Sequence, residues 1–325
     1  MGAILVTGGA GFIGSHLADR LLAHERDVVV LDNFDAFYDV AAKRRNLEAA
    51  SQNRRMRLVR GDIRDQAAVD AAFDGLPIEA VVHLAARAGV RPSIEDPALY
   101  ASVNLDGTVR LLEACRRRGV SRFVFGSSSS VYGNNVKTPF AEDDPVDQPI
   151  SPYAATKRAG ELLAHTYHHL FGMTIACLRF FTVFGPRQRP DLAIRKFAEL
   201  IASGREIPVF GDGTTGRDYT YVDDIIDGVI AALDRATGFH IWNLGGAHPV
   251  LLSEVIERLA RGLGRTPAIR RLPPQPGDVE RTWADVSRAK RELAWAPRTS
   301  FESGMDSFLA WFEAERSRDA SGRRT

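Results

Sequence analysis

Three glycines near the amino terminus constrain the fold of this chain more than any other feature. They lie in the segment Thr7-Gly8-Gly9-Ala10-Gly11-Phe12-Ile13-Gly14, between a short apolar run and a helical pattern. Glycines at this spacing let the backbone and the first turn of the following helix approach a pyrophosphate closely. The segment therefore predicts a strand, a phosphate-binding turn and a helix, with five candidate cofactor contacts: Gly8, Gly11, Phe12, Ile13 and Gly14.

Short β-branched runs alternate with longer amphipathic segments through the first half of the chain, a pattern typical of β-α-β units in a parallel sheet. The predicted strands are 3–6, 28–31, 57–59, 80–83, 122–125 and 175–180, and helical spacing occupies 15–23, 99–118 and 152–171. These segments predict an α/β fold with a Rossmann-type doubly wound parallel sheet over residues 1–186, extended by a strand near 239–246.

The second half of the chain predicts a smaller, interleaved carboxyl-terminal substrate-binding domain, mainly over residues 187–313. Helical spacing at 194–203, 222–233 and 253–263 is separated by loops and Pro/Gly turns, and strand character returns at 240–244. Residues 314–325 are charged and small, so we expect a flexible tail there.

Composition narrows the partners of the chain. Of its 325 residues, 45% are hydrophobic and 26% charged, a composition typical of globular proteins. The formal net charge of +1 provides no excess of positive charge to attract nucleic acid. No apolar run approaches the roughly 20 residues that span a bilayer, and no targeting segment precedes the first strand, so we expect a cytoplasmic protein without membrane contact. Cys115 and Cys177 lack metal-ligand spacing, which predicts reduced core residues and no metal site.

Asp32 makes the glycine turn more specific, because it ends the second predicted strand where a carboxylate meets the ribose hydroxyls of adenosine. The same carboxylate repels a 2′-phosphate, so the sequence favours NAD over NADP as the cofactor. Asp62 follows the third strand and suits an adenine contact, whereas Asn104 is expected to organise backbone or water near the nicotinamide. The remaining cofactor candidates follow the strand ends: Asn33, Ile63, Leu84, Ala85 and Ala86. A purely structural glycine turn is the alternative, and the order of the elements argues against it.

Tyr153 and Lys157 are four residues apart and share one face of a predicted helix. An unperturbed tyrosine, with a pKa of about 10, is a poor base at neutral pH. A neighbouring lysine and the positive nicotinamide of NAD⁺ favour the phenolate, which then accepts a proton from a substrate alcohol as hydride leaves. Ser128 follows a sheet strand, where its hydroxyl can bond the same oxygen. The alternatives are a solvent-exposed helix pair and an ordinary serine-rich loop.

These residues resemble the extended short-chain dehydrogenase/reductases over residues 3–312. Within that family the chain is most similar to NAD-dependent nucleotide-sugar epimerases, specifically UDP-glucuronate 4-epimerases. The similarity is carried by the segments 87–93, 179–191, 217–224 and 275–279, which are far more specific than the glycines. The resemblance implies a UDP-sugar substrate and a homodimer in which the helices at 99–118 and 152–171 pair across a two-fold axis.

The resemblance also discriminates among the reactions of the family. Related dehydratases carry Thr-Asp-Glu where this chain has Ser128-Ser129-Ser130, here called the serine loop, and related uronate decarboxylases carry a glutamate at the position of Ser130. Without these carboxyl groups, the implied reaction is oxidation at C4 of the sugar, rotation of the ketone and return of hydride to the opposite face.

UDP-glucose 4-epimerases are the alternative within the family. They usually have asparagine at the position of Thr182 and arginine at that of Gln275. Thr182, together with the serine loop, implies hydroxyl donors around the C5 substituent, which suits a carboxylate and therefore UDP-glucuronate.

The remaining substrate contacts implied by the resemblance are mostly cationic. Arg189 and Arg217 are expected at the diphosphate, Arg91 near the sugar and Asp278 at the uridine ribose, with the base held by backbone at 208–211. A non-catalytic NAD-binding sensor is the alternative from another functional class. A sensor needs the glycine turn but has no use for Ser128, Tyr153 and Lys157 together.

Overall fold

Twelve strands are present in the computed structural model, which describes residues 2–273 and 281–322. They are β1 (Ala3–Thr7), β2 (Val28–Asp32), β3 (Met56–Arg60), β4 (Ile78–His83), β5 (Arg122–Ser128), β6 (Thr174–Phe180), β7 (Thr182–Phe184), β8 (Ile207–Phe210), β9 (Gly216–Tyr221), β10 (Phe239–Leu244), β11 (Pro249–Leu251) and β12 (Ile269–Leu272). Seven of them form one parallel sheet in the order β10-β6-β5-β4-β1-β2-β3. The predicted doubly wound α/β fold is confirmed. Strand order reverses between β1 and β4, and such switch points leave a crevice at the carboxyl ends of the strands.

Thirteen α-helices connect or flank the strands of the described chain. They are α1 (Phe12–Ala23), α2 (Val40–Asn46), α3 (Glu48–Ser51), α4 (Gln66–Phe73), α5 (Val90–Glu95), α6 (Pro97–Ala101), α7 (Gly107–Arg118), α8 (Pro152–Phe171), α9 (Ala193–Ala202), α10 (Val222–Arg235), α11 (Leu252–Leu263), α12 (Ser287–Leu293) and α13 (Phe301–Gly322). In residues 2–273 and 281–322 no helix combines the length and the apolarity needed to cross a bilayer.

The two faces of the large sheet are buried against different helices, because alternate strand residues point in opposite directions. Ile4 and Val6 of β1 join the core formed with α1, α10 and α12. Ala3 and Leu5 join the core formed with α4, α7 and α8. Burial on both faces explains why the central strands are nearly continuous apolar runs.

Five of the described strands lie outside the seven-stranded sheet, and none of them was predicted from the sequence. Together with α9, α11 and α13 they are called the smaller unit here. β7, β9 and β11 form a three-stranded sheet, and β8 pairs in parallel with β12. Sequence analysis expected loops at these positions, because the strands span only three to six residues and include polar segments such as Gly216–Tyr221. Their core is shared with α9, α11 and α13 and includes Phe197, Val255 and Phe308.

One helical prediction was wrong in detail. The expected helix at 99–118 is divided, because a π-helical segment, Ser102–Asp106, separates α6 from α7. The expected flexible tail at 314–325 is helical as far as Gly322, where the description of the chain ends. The first turns of α13 are buried as far as Phe312, and beyond them Arg45 Nε donates to Glu315 Oε1 at 2.7 Å.

His83 links β4 to β1 and α7 inside the sheet. Its Nδ1 lies 2.7 Å from Thr7 Oγ1 and its Nε2 lies 3.0 Å from Thr108 Oγ1. The Thr108 hydroxyl donates to the Asn104 carbonyl oxygen, so the Thr108 oxygen accepts from the Nε2–H of His83. On the other side of the ring, the Thr7 hydroxyl accepts from Ala85 N and donates to His83 Nδ1. This pattern requires a neutral imidazole, and burial lowers the pKa of His83 to about 3.

Folding stability should therefore depend on pH through His83. Below pH ~6.5 the unfolded chain binds a proton that the buried imidazole does not. The contribution of His83 to the unfolding free energy should therefore fall by about 1.4 kcal/mol for each unit by which the pH is lowered. Urea unfolding of wild type and His83→Gln between pH 7 and pH 5 measures the difference in slope. His24→Gln, at an exposed histidine, is the control and should keep the wild-type slope. Equal slopes in His83→Gln and wild type would contradict the neutral, buried imidazole.

Candidate active site

A cavity of about 510 Å³ opens at the carboxyl ends of the parallel strands. It brings together most of the site residues predicted from the sequence. Those that line it are Gly8, Gly11, Phe12, Ile13, Gly14, Asp32, Asn33, Asp62, Ile63, Leu84, Ala85, Ala86, Ser128, Ser129, Ser130, Tyr153, Lys157, Thr182, Arg189 and Arg217. The crevice therefore collects residues from the glycine turn, from four further strand ends and from α8.

Two predicted residues lie outside the cavity lining, and a third is not described by the structure. Asn104 lies behind the cavity wall in the π-helical segment, where it accepts from Arg87 N at 2.8 Å and donates to Thr156 Oγ1 at 3.0 Å. Arg91 is exposed on α5, with its guanidinium carbon 4.6 Å from the centre of the Phe210 ring. Asp278, like Gln275, lies outside the described residues.

The glycine turn is tight enough to exclude any side chain at position 14. A Cβ on Gly14 would lie 2.2 Å from the Gly8 carbonyl oxygen and 2.8 Å from Gly9 Cα. Gly8 itself has a φ of 69°, in the left-handed region that favours glycine. The turn presents backbone N–H groups and the first turn of α1 to the cavity, a surface that fits a diphosphate.

Acidic side chains follow the glycine turn at the ends of β2 and β3. Asp32 is buried and accepts hydrogen bonds from Ala10 N at 3.0 Å and Phe34 N at 2.8 Å. Asn33 Nδ2 donates to Asp62 Oδ2 at 3.0 Å, so these two predicted residues meet at the cavity. The Asp32 backbone contacts orient its carboxylate, while burial raises its pKa against the opposing influence of Lys43.

Lys43 is a lining residue that sequence analysis missed. It lies on α2, is 7% exposed, and interacts electrostatically with Asp32 and Asp35. Burial lowers the pKa of the Lys43 ammonium, and these two carboxylates oppose that decrease. The scarcity of lysine, with five in the chain, was the available signal, but no spacing linked position 43 to the cavity.

Arg87 and the segment around Phe37 form a second part of the lining that was not assigned from the sequence. Arg87 Nη1 donates to Asp35 Oδ1 at 2.6 Å, and its guanidinium carbon lies 5.3 Å from the centre of the Phe37 ring. Arg189 approaches the same ring at 5.8 Å. Phe37 thus connects the loop after β2 to two arginines from distant parts of the chain.

The start of α8 positions Tyr153 and Lys157. Ser151 Oγ caps the helix by accepting from Ala154 N at 3.1 Å, and Pro152 occupies the first helical turn. Lys157 is 6% exposed and donates from Nζ to the Gly126 carbonyl oxygen at 2.7 Å. The lysine therefore anchors the helix to β5, one turn behind the tyrosine.

Tyr153 and Ser128 line the same part of the cavity, close enough for the serine hydroxyl to lower the pKa of the tyrosine. Ser128 in turn accepts from Ser130 Oγ at 3.0 Å and Ser130 N at 3.2 Å. Burial raises the pKa of Tyr153, while the Ser128 hydroxyl and the positive charge of Arg189 lower it. Burial lowers the pKa of Lys157 to about 8, and Glu161 opposes this decrease.

Arg189 lines the same cavity as Tyr153. It interacts electrostatically with Tyr153, and its Nε and Nη2 donate to the two carboxylate oxygens of Asp191 at 2.9 and 2.8 Å. Arg217, in β9, also lines the cavity, and its Nη1 donates to the Gly216 carbonyl oxygen at 3.0 Å. The cavity is therefore lined by two positively charged guanidinium groups.

The chemical groups around Tyr153 are hydroxyls and cations. Within the described lining the carboxylates are Asp32, Asp35, Asp62 and Asp191, and none belongs to the serine loop. The described residues also contain no cluster of three or more His, Cys, Asp or Glu arranged to hold a metal ion. The arrangement suits proton transfer at an alcohol beside a dinucleotide.

A model of the NAD dependent epimerase/dehydratase family matches residues 4–245. The chain belongs to this family. NAD is accordingly its cofactor, and the side-chain-free surface at Gly14 fits the diphosphate of that molecule. Members of the NAD dependent epimerase/dehydratase family are found among both its sequence relatives and its structural neighbours.

The UDP-glucuronate 4-epimerase of Thermodesulfobacterium geofontis is 44% identical over 312 residues, which cover 96% of each chain. A crystal structure of UDP-glucuronic acid 4-epimerase from Bacillus cereus, in complex with UDP-glucuronic acid and NAD, has a TM-score of 0.90 at 37% identity and covers 96% of this chain and 99% of its own. UDP-glucose 4-epimerase from Thermotoga maritima, solved with UDP-glucose, has a TM-score of 0.87 at 33% identity, covering 97% and 99%.

Replacing Gly14 by alanine should weaken NAD binding at least about tenfold, because the added Cβ displaces the Gly8 carbonyl and opens the turn. Gly262→Ala is a matched control, since its Cβ would lie 2.2 Å from Leu309 Cδ1 in the smaller unit. Calorimetric titration of NAD into both variants measures the effect. Wild-type affinity in Gly14→Ala, or an equal loss in Gly262→Ala, would refute the assignment of the turn.

Proposed function

We propose that the protein interconverts UDP-glucuronate and UDP-galacturonate by inversion at C4 of the sugar, with NAD as a bound cofactor. The observation that carries this proposal is the group of hydroxyls next to Tyr153: the serine loop and Thr182 line the cavity without a carboxylate among them. The relatives described as UDP-glucuronate 4-epimerases support it. Residues 1–186, with the strand near 239–246, are proposed to bind NAD, and residues 187–313 to bind most of the UDP-sugar.

Tyr153 is the proposed base. Its phenolate accepts the proton of the C4 hydroxyl, and Ser128 donates a hydrogen bond to the same oxygen as the carbonyl forms. NAD, when bound, takes up the hydride from C4 and later returns it. The 4-keto sugar then presents its opposite face, and Tyr153 returns the proton to the C4 oxygen, so the reaction causes no net oxidation.

Lys157 acts through its charge. An ammonium that is buried one turn behind Tyr153 stabilises the phenolate and lowers the pKa of the tyrosine toward neutral pH. Its hydrogen bond to the Gly126 carbonyl keeps the ammonium at a fixed distance from the tyrosine. Asn104 supports the same region from behind, through its bonds to Arg87 and Thr156.

The serine loop and Thr182 are proposed to bind the C5 carboxylate. A 4-keto uronate is a β-keto acid, and such acids lose CO₂ most readily when the carboxylate is perpendicular to the ketone plane. Several hydroxyl donors fixed around the carboxylate hold it out of that orientation. They also contribute charge-assisted hydrogen bonds without placing a full charge beside the ketone.

The diphosphate is assigned to Arg217 and Arg189, whose guanidinium groups match phosphate oxygens. Because Asp191 accepts from Nε and Nη2 of Arg189, the remaining N–H donors of this arginine are the ones proposed to face the substrate. Arg91, stacked on Phe210, is the proposed contact near the sugar nucleotide. The role of Asp278 at the uridine ribose stays a prediction.

A cytoplasmic homodimer is the proposed form of the enzyme. Along α8, Leu162 is 53% exposed and Leu170 62%, and residues eight apart lie on one face of a helix. An apolar helix face of this kind suits a second copy of the chain, and the two buried free cysteines suit a reducing compartment.

UDP-glucuronate should be the better substrate, with kcat/KM exceeding that for UDP-glucose by about tenfold to a hundredfold, since charge-assisted hydrogen bonds contribute ~1.5–3 kcal/mol. Chromatography of the products formed by the NAD-loaded enzyme measures both rates. UDP-galacturonate should be the main product. Faster turnover of UDP-glucose, or conversion of UDP-glucuronate mainly to a pentose nucleotide, would contradict the proposal.

Tyr153→Phe should reduce turnover by about a hundredfold to ten-thousandfold while NAD binding is kept, because only the proton acceptor is removed. Tyr100→Phe is the control. The Tyr100 ring centre is 6.3 Å from that of Tyr153, but its hydroxyl donates to the Ala88 carbonyl at 2.9 Å. Initial rates and NAD titrations of both variants test the assignment, which unchanged turnover in Tyr153→Phe would exclude.

A further inference from the structure

Glu161 is a carboxylate buried within α8, one turn beyond Lys157. It is 1% exposed. Its Oε1 accepts from Ser127 Oγ at 2.7 Å and from Arg179 Nε at 2.9 Å, and its Oε2 accepts from Arg179 Nη2 and Arg158 Nη1, both at 3.0 Å. A buried charge is tolerated when it is paired and fully hydrogen-bonded, and these four donors meet that condition.

Three of the four hydrogen bonds to Glu161 come from two neighbouring strands, β5 and β6. Ser127 directly precedes Ser128 in β5. Arg179, in β6, is itself 1% exposed and also donates to the Tyr132 hydroxyl at 2.9 Å and the Glu142 carbonyl at 3.2 Å. Tyr132 ends the short helix that begins with the serine loop, so one carboxylate links α8 to both strands and, through Arg179, to that loop.

We infer that Glu161 is a positioning residue for the reaction: its four hydrogen bonds hold α8 against the strand that carries Ser128, and its carboxylate is fixed one helical turn from the Lys157 ammonium. The inference rests on the roles proposed above for Tyr153, Lys157 and Ser128. It adds a requirement for negative charge at position 161, beyond a requirement for packing.

The groups that face Lys157 from neighbouring elements are otherwise neutral or positive. On β4, burial keeps His83 neutral, with a pKa of about 3, and on β6 burial raises the pKa of the Cys177 thiol. β5 contributes the Gly126 carbonyl and the Phe125 ring, whose centre is 5.1 Å from Lys157 Nζ.

On α8 itself, Tyr153 and Arg158 are the other titratable neighbours, and the guanidinium of Arg179 lies behind Glu161. Glu161 is the group that opposes the lowering of the Lys157 pKa by burial. Without its charge the ammonium loses its proton at a lower pH. The Tyr153 phenolate then forms at a higher pH, because it loses the stabilising positive charge.

Loss of the Glu161 charge should therefore narrow the pH profile of turnover from both sides. The acid limb, which requires the phenolate, should shift upward, and the alkaline limb, which requires the ammonium, should shift downward. A residue with only a structural role would reduce the rate equally at every pH, since it would change only the fraction of active enzyme.

The experiment compares kcat against pH for four NAD-loaded variants and wild type with UDP-glucuronate as substrate. Glu161→Gln removes the charge, and the double variant Glu161→Gln with Arg179→Met also removes the cation that would be left unpaired. Glu161→Asp keeps the charge. Arg158→Gln is the control, because it removes the partly exposed partner of the same carboxylate.

We expect both limbs to move inward by about one pH unit in Glu161→Gln and in the double variant, with turnover at neutral pH reduced about tenfold and KM nearly unchanged. Glu161→Asp should keep the wild-type limbs at a lower rate, and Arg158→Gln, which keeps the carboxylate, should not move either limb inward. Because folding stability itself depends on pH, the folded fraction of each variant is measured by circular dichroism at every pH, and turnover is expressed per folded molecule, so a destabilised variant still gives an answer.

Unmoved limbs in Glu161→Gln and in the double variant would overturn the inference. The proposed function fails separately, when wild type turns over UDP-glucose in preference to UDP-glucuronate. The same comparison of limbs is then made with UDP-glucose, and it decides the role of Glu161 independently of the sugar.

Discussion

The Lys157 ammonium donates to the Gly126 carbonyl oxygen at 2.7 Å inside a nearly closed interface between α8 and β5, and the reactive groups are arranged around this contact. Taking a charge out of water lowers the pKa of Lys157 to about 8, so the same burial that fixes the lysine also makes its charge sensitive to its neighbours. Glu161 and Arg179 continue the arrangement behind it. The contacts that fix the side chains of the site are therefore also contacts that pack α8 against the sheet.

The charges of the molecule are balanced locally. With a net charge of +1 over 325 residues, the positive charge available to an anionic ligand comes from the cations of one cavity and not from the overall field. Arg189 is oriented by Asp191 and Arg87 by Asp35, and both guanidinium groups contact the Phe37 ring. Such pairing presents selected N–H donors and reduces the side-chain freedom that is lost on binding.

Most of the doubly wound sheet followed from local patterns, since buried parallel strands are apolar runs bounded by turns. The short strands β7, β8, β9, β11 and β12 did not, because their pairing partners are distant in sequence and their composition is mixed. Lys43 and Arg87 were not predicted as lining residues, for a related reason. Each reaches the cavity through the path of a loop or a short helix that no sequence period describes. The extended course of α13 depends on apolar contacts with α9 and α11.

The sequence by itself determined the features that depend on local geometry. These are the side-chain-free turn at Gly8, Gly11 and Gly14, the alignment of Tyr153 with Lys157 on one helical face, and the hydroxyl chemistry of the serine loop. Only the tertiary structure decided which groups surround that pair. The bond of Lys157 to Gly126, the position of Arg189 beside Tyr153 and the four donors to Glu161 join residues from separate elements. Their distances are set by crossover connections and by packing on the sheet, which local spacing does not encode.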